Sequence, residues 1–525
     1  MPGTFPSPHR PAVNRVVAIG AVAAACALAA PPPRAVAGGF EYGLQGFGAV
    51  ARGGADVAHV EDPSALYLNV AGIGKLDEVQ VLLETNLVFL ESGVRLHGNE
   101  DPLTGRTLDA WSVDGEVVEY PRVENDDPPF PGPMVAASFG VPGVEGLVLG
   151  LGVFGPAAVG NYTYEREITV DTSHGPAGVP GPQRYDLVYE RVLFYWPTLA
   201  LACRLAPGLV VGMGFQWGVI DLTYSIAGSV ARVRSPSSYS SDFLATVRAV
   251  DPFVPAMLFG VQYAPLEWLE VGASLRVSDA IRAGAERVTV VMSPWSEDPI
   301  HSDDPSLEWM DDPEGDFRRP TGRVWFDWPP VQLRLGVRFA LPRLAPGEGD
   351  GLPAHVKERF DVELAFFWEN TGTLDAMSMQ VRGQVPYGRS PGQATEFNVD
   401  NDGVFGIQRG WKDCWSLRLG GNVNVLEGML TFGVGGFYDA GAAPPAYTRL
   451  DYAAFDRWGL TTGVAVRVWR LELRAAYAHF FYPERRVDEG RIQHLQGFGD
   501  EGNVINNGTY TASIDVLTLG VLGRF

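Results

Sequence analysis

From about residue 78 to the end, the chain repeats a two-residue hydrophobic period, and no segment reads as a membrane helix. Leu147, Leu149, Leu151 and Val153 fall on one face of the uncharged run 146–164. Leu209, Val211, Met213, Phe215, Trp217 and Val219 share a face opposite Gly212, Gly214, Gln216 and Gly218. Leu269, Val271, Ala273, Leu275 and Val277 oppose Glu270, Gly272, Ser274, Arg276 and Ser278, and 331–339, 360–368 and 415–425 behave alike. A period of two places alternate side chains on opposite faces of a strand, whereas a helix needs 3.6. The 63 Gly and 40 Pro argue against a helical bundle. The 11% aromatic content argues against long disorder. A formal charge of -22 leaves no electrostatic footprint for nucleic acid.

Alternation alone also fits a soluble β-sandwich, with its apolar face inward. Two features favour a transmembrane barrel. Connections alternate short (142–143, 206–208, 264–266, 426–428) and long (97–131, 160–182, 291–322, 370–410, 484–507), as in barrels with short periplasmic turns and long outer loops. The chain also ends Leu517, Leu519, Val521, Gly523, Phe525 on one face, the terminal pattern that barrel-assembly machinery reads. The expected strands are 78–96, 132–142, 146–158, 183–204, 208–227, 252–264, 268–290, 323–342, 356–369, 411–425, 429–440, 457–469, 471–483 and 509–525. That is about 14, an even number that leaves both ends on one side. The fold class is all-β: a transmembrane antiparallel β-barrel of about 14 strands. The acidic outer stretches at 302–304 and 311–314 read as solvated loops, with divalent bridging to lipopolysaccharide as the alternative.

Arg10 and Arg15 precede the uncharged stretch 16–30, and Ala35-Val36-Ala37 is a small-x-small site. Residues 1–37 therefore read as a secretory signal peptide. After its removal only Cys203 and Cys414 remain, so disulfides are not the staple, and two free thiols are expected. Residues 38–77 precede the first strand. They are rich in small residues but carry Leu66, Tyr67, Leu68, Val70 and Ile73, more apolar than a flexible tail. An ordered hatch inside the barrel lumen fits them, with 78–525 as the barrel.

The run 46–73 carries a resemblance. Its glycine-alanine stretch, then Asp62-Pro63-Ser64-Ala65, then Asn69-Val70-Ala71-Gly72, resembles the hatch of the FadL/TodX family of outer-membrane transporters of long-chain fatty acids and other hydrophobic compounds. Val70 departs from the family's usual Pro. Residues 139–156, 269–278 and 518–525 resemble the family more loosely. The resemblance implies a 14-stranded barrel in the bacterial outer membrane, a lumen-blocking hatch, an apolar pocket and sideways release beside a kinked third strand. It implies passive transport of a long-chain fatty acid or similar hydrophobic molecule by a monomer, with no cofactor. Gly155-Pro156 is where the kink is expected, since proline lacks a ladder donor. The ligand and gating candidates are Phe40, Phe47, Asp62, Asn69, Val70, Ala71, Gly155, Pro156 and Arg276. Arg334, Arg338, Arg418, Arg467 and Arg474 are further lumen cations that could meet a carboxylate, pair with Glu270, Asp361, Glu363 and Glu472, or hold the hatch.

Nothing supports catalysis. The eight His are scattered, no Gly-x-Ser-x-Gly elbow occurs, and no metal spacing is present. The run 398–403 begins like a calcium loop, but its twelfth position is Arg409, not the bidentate Glu such a loop needs. The alternatives are a structural or adhesive barrel working through its outer loops, and a general aqueous porin.

Overall fold

The computed structural model describes residues 41–525 except 77, 101–106, 156–160, 230–241, 285–286, 296–320, 344–353, 383, 387–393, 397–403, 494 and 497–502. The signal-peptide segment, Phe40, Pro156, the acidic stretches and the 398–403 loop lie outside the described residues.

The alternating segments form fourteen long antiparallel strands: β1 (Gln80–Leu96), β2 (Phe130–Gly140), β3 (Leu147–Phe154), β4 (Tyr189–Ala206), β5 (Leu209–Ser229), β6 (Asp242–Leu266), β7 (Leu269–Ser278), β8 (Val331–Pro342), β9 (Glu358–Glu369), β10 (Cys414–Val425), β11 (Leu430–Asp439), β12 (Arg457–Val468), β13 (Leu471–Phe481) and β14 (Gly508–Arg524). Each pairs with the next in sequence. β14 then returns to β1 in unbroken register from Gln80↔Arg524 to Leu96↔Gly508. The Phe525 amide donates to the Val79 carbonyl at 2.8 Å, and the Val79 amide donates back to Phe525 at 3.2 Å. The ring is closed.

Several expected boundaries move, and proline explains one of them. The third strand, expected over 146–158, stops at Phe154, where the Gly155 amide donates to the Pro133 carbonyl at 2.6 Å. The strand expected over 323–342 is broken between Phe326 and Val331 by Pro329 and Pro330, which have no N–H to donate. β6 starts ten residues earlier than expected, at Asp242. The segment expected over 268–290 pauses after Ser278. Residues 182–185 are a 3₁₀ turn rather than the start of β4. Cys203 and Cys414 form no disulfide.

The two faces of the wall divide as the alternation requires. Leu151, Val153, Leu199, Leu201, Phe259, Leu335, Leu364, Leu417, Leu419 and Leu473 point outward and are exposed. Aromatic pairs edge this belt. Trp268 stacks on Phe339 near the short-turn rim, and Trp217 with Phe253 and Trp458 with Phe481 sit toward the long-loop rim. An apolar band with aromatic girdles is the surface a bilayer covers. The inward face carries buried Glu84, Asn86, Gln216, Gln262, Arg276, Arg338, Glu363 and Arg474.

Leu419 is 54% exposed in the middle of the belt. Leu419→Arg should destabilise the barrel by about 2–4 kcal/mol, the cost of a cation facing lipid near the midplane. Reversible urea unfolding in lipid vesicles measures it; an unchanged midpoint would mean this face does not meet lipid.

Candidate functional site

The barrel lumen is occupied by residues 41–76. Two short helices, α1 (Gly46–Ala51) and α2 (Ala65–Leu68), and a 3₁₀ turn over Val70–Lys75 are the regular parts. Local side-chain bonds shape the rest. The Ser64 amide donates to Asp62 Oδ1 at 2.8 Å, an Asx-type turn before α2. Asn69 Oδ1 accepts from the Ala71 amide at 3.2 Å and caps the 3₁₀ turn.

An irregular chain inside a wall must satisfy its backbone groups with side chains, and the inward polar positions do this. Glu363 Oε1 accepts from the amides of Val57 (2.7 Å) and Ala58 (2.9 Å). Glu84 Oε2 accepts from the Phe47 amide, and Asn86 Nδ2 donates to the Leu44 carbonyl, both at 2.9 Å. Arg334 donates to the Tyr67 carbonyl at 2.9 Å, Arg418 to Gly53 at 3.3 Å and Arg204 to Gly74 at 2.9 Å. Arg474 bridges Asp62 (2.7 Å), Glu84 (3.0 Å) and Glu472 (2.8 Å). Arg52 of the segment reaches Asp361 on β9 at 2.7 Å.

Wall glycines make the seat. A Cβ on Gly420 would lie 2.0 Å from the Arg52 carbonyl oxygen, and one on Gly260 would lie 2.3 Å from Asn69 Oδ1. Both positions are therefore closed to any side chain. In the sequence these glycines read only as small residues on the polar face.

The candidates are placed as follows. Phe47 is buried under the Arg474 guanidinium, 5.2 Å from its ring centre. Asp62 pairs with Arg474. Asn69 is fully buried, and its Nδ2 donates to the carbonyls of Val57 (2.9 Å) and Val261 (3.1 Å), tying the segment to β6. Val70 and Ala71 lie against Gly212 of β5. Arg276 Nη1 donates to Glu41 Oε1 at 2.8 Å and to Gln332 at 3.2 Å, and its guanidinium covers the Trp196 ring at 4.0 Å. Its Nε and Nη2 have no hydrogen-bond partner among the described residues, although the side chain is only 7% exposed. Arg338 pairs with Glu270, Glu358 and Asp361, and Arg467 with Glu472. The sequence reading missed Glu41, Glu84, Asn86 and Arg457. Glu84 and Asn86 stand on the polar phase of β1, the signal that could have found them. Glu41 carried no such signal.

Gly155 ends β3 beside the segment, where the Phe154 ring lies 5.9 Å from Tyr67. Residues 161–163 pair with β4 again, Asn161 opposite Arg191. Below the break, Phe154 faces Trp196. The chain thus spends seven residues from Phe154 to Asn161 where β4 spends five from Trp196 to Arg191. Between these two paired positions the chain is therefore two residues longer than the β4 stretch opposite it.

On the long-loop side, buried aromatics line the lumen. Phe194 packs against Trp196 and Trp328, at 4.3 and 4.6 Å. The 440–456 connection folds inward there. Asp451 holds Arg409 at 2.6 Å, and Arg449 holds Asp186 at 2.9 Å. On the short-turn side, a polar cavity of about 90 Å³ is lined by His59, Glu61, His355, Glu358, Arg467 and Glu472, among others.

No family model and no curated protein matches the chain in sequence. Solved structures match it over nearly its whole length. A Pseudomonas aeruginosa FadL homologue superposes with a TM-score of 0.67 at 14% identity, covering 93% of this chain and 100% of that one. The Pseudomonas putida toluene transporter TodX gives 0.56 at 13%, covering 92% and 99%. The Ralstonia pickettii toluene transporter TbuX gives 0.53 at 14%, also covering 92% and 99%. This chain has their fold.

Two predictions follow from the seat. His59 is held by Glu61 at 3.1 Å and by Glu270 in a closer contact, with Lys75 and Arg338 nearby. Burial and the Arg338 charge oppose its protonation, but Glu270 and Glu61 outweigh them and hold its pKa up at about 9. A raised folded-state pKa stabilises fully below the unfolded value near 6.5 and is lost as pH rises through about 9. Hydrogen exchange of residues 57–62 should therefore quicken between pH 8 and 10 in the intact protein, beyond the intrinsic pH effect on exchange. His59→Gln should abolish that extra change. Separately, Gly420→Val should displace α1 and its following turn. Raised ion conductance in planar bilayers, with an intact barrel by heat-modifiable gel mobility, is the expected result.

Proposed function

We propose that this protein is a passive outer-membrane channel for small hydrophobic molecules, long-chain fatty acids or compounds of similar character. The observation that carries the reading is the pairing of a filled lumen with the end of β3 at Phe154, directly beside the filling segment, after which the chain is two residues longer than β4 before pairing resumes. A straight aqueous path is blocked by residues 41–76, which act as the hatch, while 78–525 form the conducting barrel. A greasy ligand has little to gain from a watery exit, since each methylene kept in an apolar phase is worth about 0.8 kcal/mol. Lateral release at the third strand keeps it in such a phase.

The shared fold supports this reading: two of the similar structures are described as toluene transporters, and the other as a FadL homologue. The long-loop rim faces outward, and the aromatic side chains Phe194, Trp196 and Trp328 lie on the route inward. Arg276 is the candidate to receive a carboxylate, supported by a guanidinium edge that no acceptor among the described residues occupies. Phe47, Asp62, Asn69, Val70 and Ala71 act by holding the hatch. Conduction needs no cofactor, and the ligand, the surrounding lipid and the barrel-assembly machinery are the partners.

Binding of a radiolabelled long-chain fatty acid to the purified barrel, with toluene as competitor, is the direct test. Saturable binding is expected. Removing two residues from 156–160, so that β3 matches β4, should leave binding intact and cut uptake into vesicles at least about tenfold. No binding together with open ion conductance would overturn the reading in favour of a porin.

A further inference from the structure

Above the apolar belt, the outer wall changes character along one line. On β4, exposed Tyr195 and Leu193 give way to exposed Arg191. Outward side chains recur every second residue, so Arg191 stands about 13 Å along the strand from Tyr195. The register places Arg191 opposite Thr223 of β5, and Thr223 opposite Arg248 of β6. Arg248 in turn faces Thr289, and Thr289 faces Thr321 on the next strand. Two residues on from Thr321 is Arg323, diagonal to Arg282, which faces Trp325. Four arginines thus run across neighbouring strands on one outer face, beyond the level of Trp217 and Phe253, with exposed Leu193 and Trp325 beside them.

Three aspartates share this face, of which Asp327 stands exposed two residues on from Trp325. Asp221 takes the Nε and Nη2 of Arg248 at 3.1 and 2.7 Å, and Asp279 takes Nη1 of Arg282 at 2.9 Å. Arg248 is left with its Nη1 edge outward, and Arg191 and Arg323 stand exposed with no carboxylate partner among the described residues. The row therefore carries a positive excess on a chain whose formal charge is -22. Beside it, Arg282, Gly284, Arg323, Trp325 and Gln380 line an open groove of about 370 Å³.

We propose that this arginine row is a docking site for the phosphate groups of an anionic outer-leaflet glycolipid. Three things on this face argue for that occupant. Guanidinium groups match phosphate oxygens in geometry and charge. The row adjoins the apolar face at exposed Leu193 and Trp325, so a lipid whose acyl chains lie on that face carries its headgroup to the arginines. Trp325 supplies the aromatic surface that interfacial sites use. The proposal rests on the reading of the belt as lipid-covered, and it is independent of what passes through the lumen.

The test is native mass spectrometry of the full-length mature barrel with bis-phosphorylated lipid A, phosphate-free lipid A and phosphatidylethanolamine. Wild type should retain bis-phosphorylated lipid A in preference to the other two. An Arg191→Gln, Arg248→Gln, Arg323→Gln triple variant should bind it at least about tenfold more weakly. That figure discounts the roughly fivefold expected of each basic side chain near an anionic surface. The matching triple Lys variant should keep most of the binding, and heat-modifiable mobility should be unchanged in both. Equal retention of the phosphorylated and phosphate-free lipids, or by wild type and the Gln variant, would overturn this proposal and leave the membrane reading intact. Failure of wild type to retain any lipid would overturn both.

Discussion

Everything in this molecule depends on the hydrogen-bonded closure between β1 and β14. The two strands run in register along their whole length, and Phe525 exchanges backbone bonds with Val79 at the rim. Once the ring is shut, each of the fourteen strands has a paired neighbour on both sides, and the ladder groups so paired need no water. That satisfaction lets the outer face be as apolar as the belt of leucines and valines requires. It also turns the inner face into an enclosed space, where a polar wall must find its partners within the protein.

Residues 41–76 are those partners. Carboxylates on β1 and β9 accept backbone amides from the segment, and guanidiniums from β4, β8 and β10 donate to its carbonyls. Buried ion pairs of this kind add little net stability, because desolvation offsets their attraction, yet removing one partner is costly. The network therefore specifies one position for the segment more than it strengthens the fold. The glycine seat works in the same direction, since Gly260 and Gly420 leave room for one backbone path only. β3 ends at Phe154, whose ring packs against Tyr67 of the segment, so the end of that strand and the segment adjoin.

The strand count and the inside-outside phase of nearly every strand were legible in the sequence, because a period of two admits one assignment when one face is apolar. Leu209 to Val219 and Leu269 to Ser278 illustrate this, their alternate residues appearing on opposite faces of the wall. The upper ends of strands were not legible. β6 runs on to Asp242 beyond the apolar belt, where the alternation inverts: Ala245, Val247 and Ala249 are buried while Thr246 and Arg248 face out, so the apolar-outward phase that marks the belt no longer applies. In the segment, Asp62 and Asn69 were legible because each makes a local turn bond that a short motif encodes. Glu41 was not, since its partners Arg276 and Tyr67 come from a distant strand and a later helix.

By itself, then, the sequence determined a closed, period-two barrel with an apolar exterior, short turns on one rim and an ordered segment ahead of the first strand. These follow from local alternation and from the requirement that backbone groups be paired. Tertiary structure alone decided which arginines hold the segment and which keep a guanidinium edge free. It also decided that the chain from Phe154 to Asn161 is two residues longer than the β4 stretch opposite, and that Arg191, Arg248 and Arg323 line up across the outer face. The physical reason is register. A strand's own residues set which face each side chain takes, but only pairing with its neighbours sets which side chains meet.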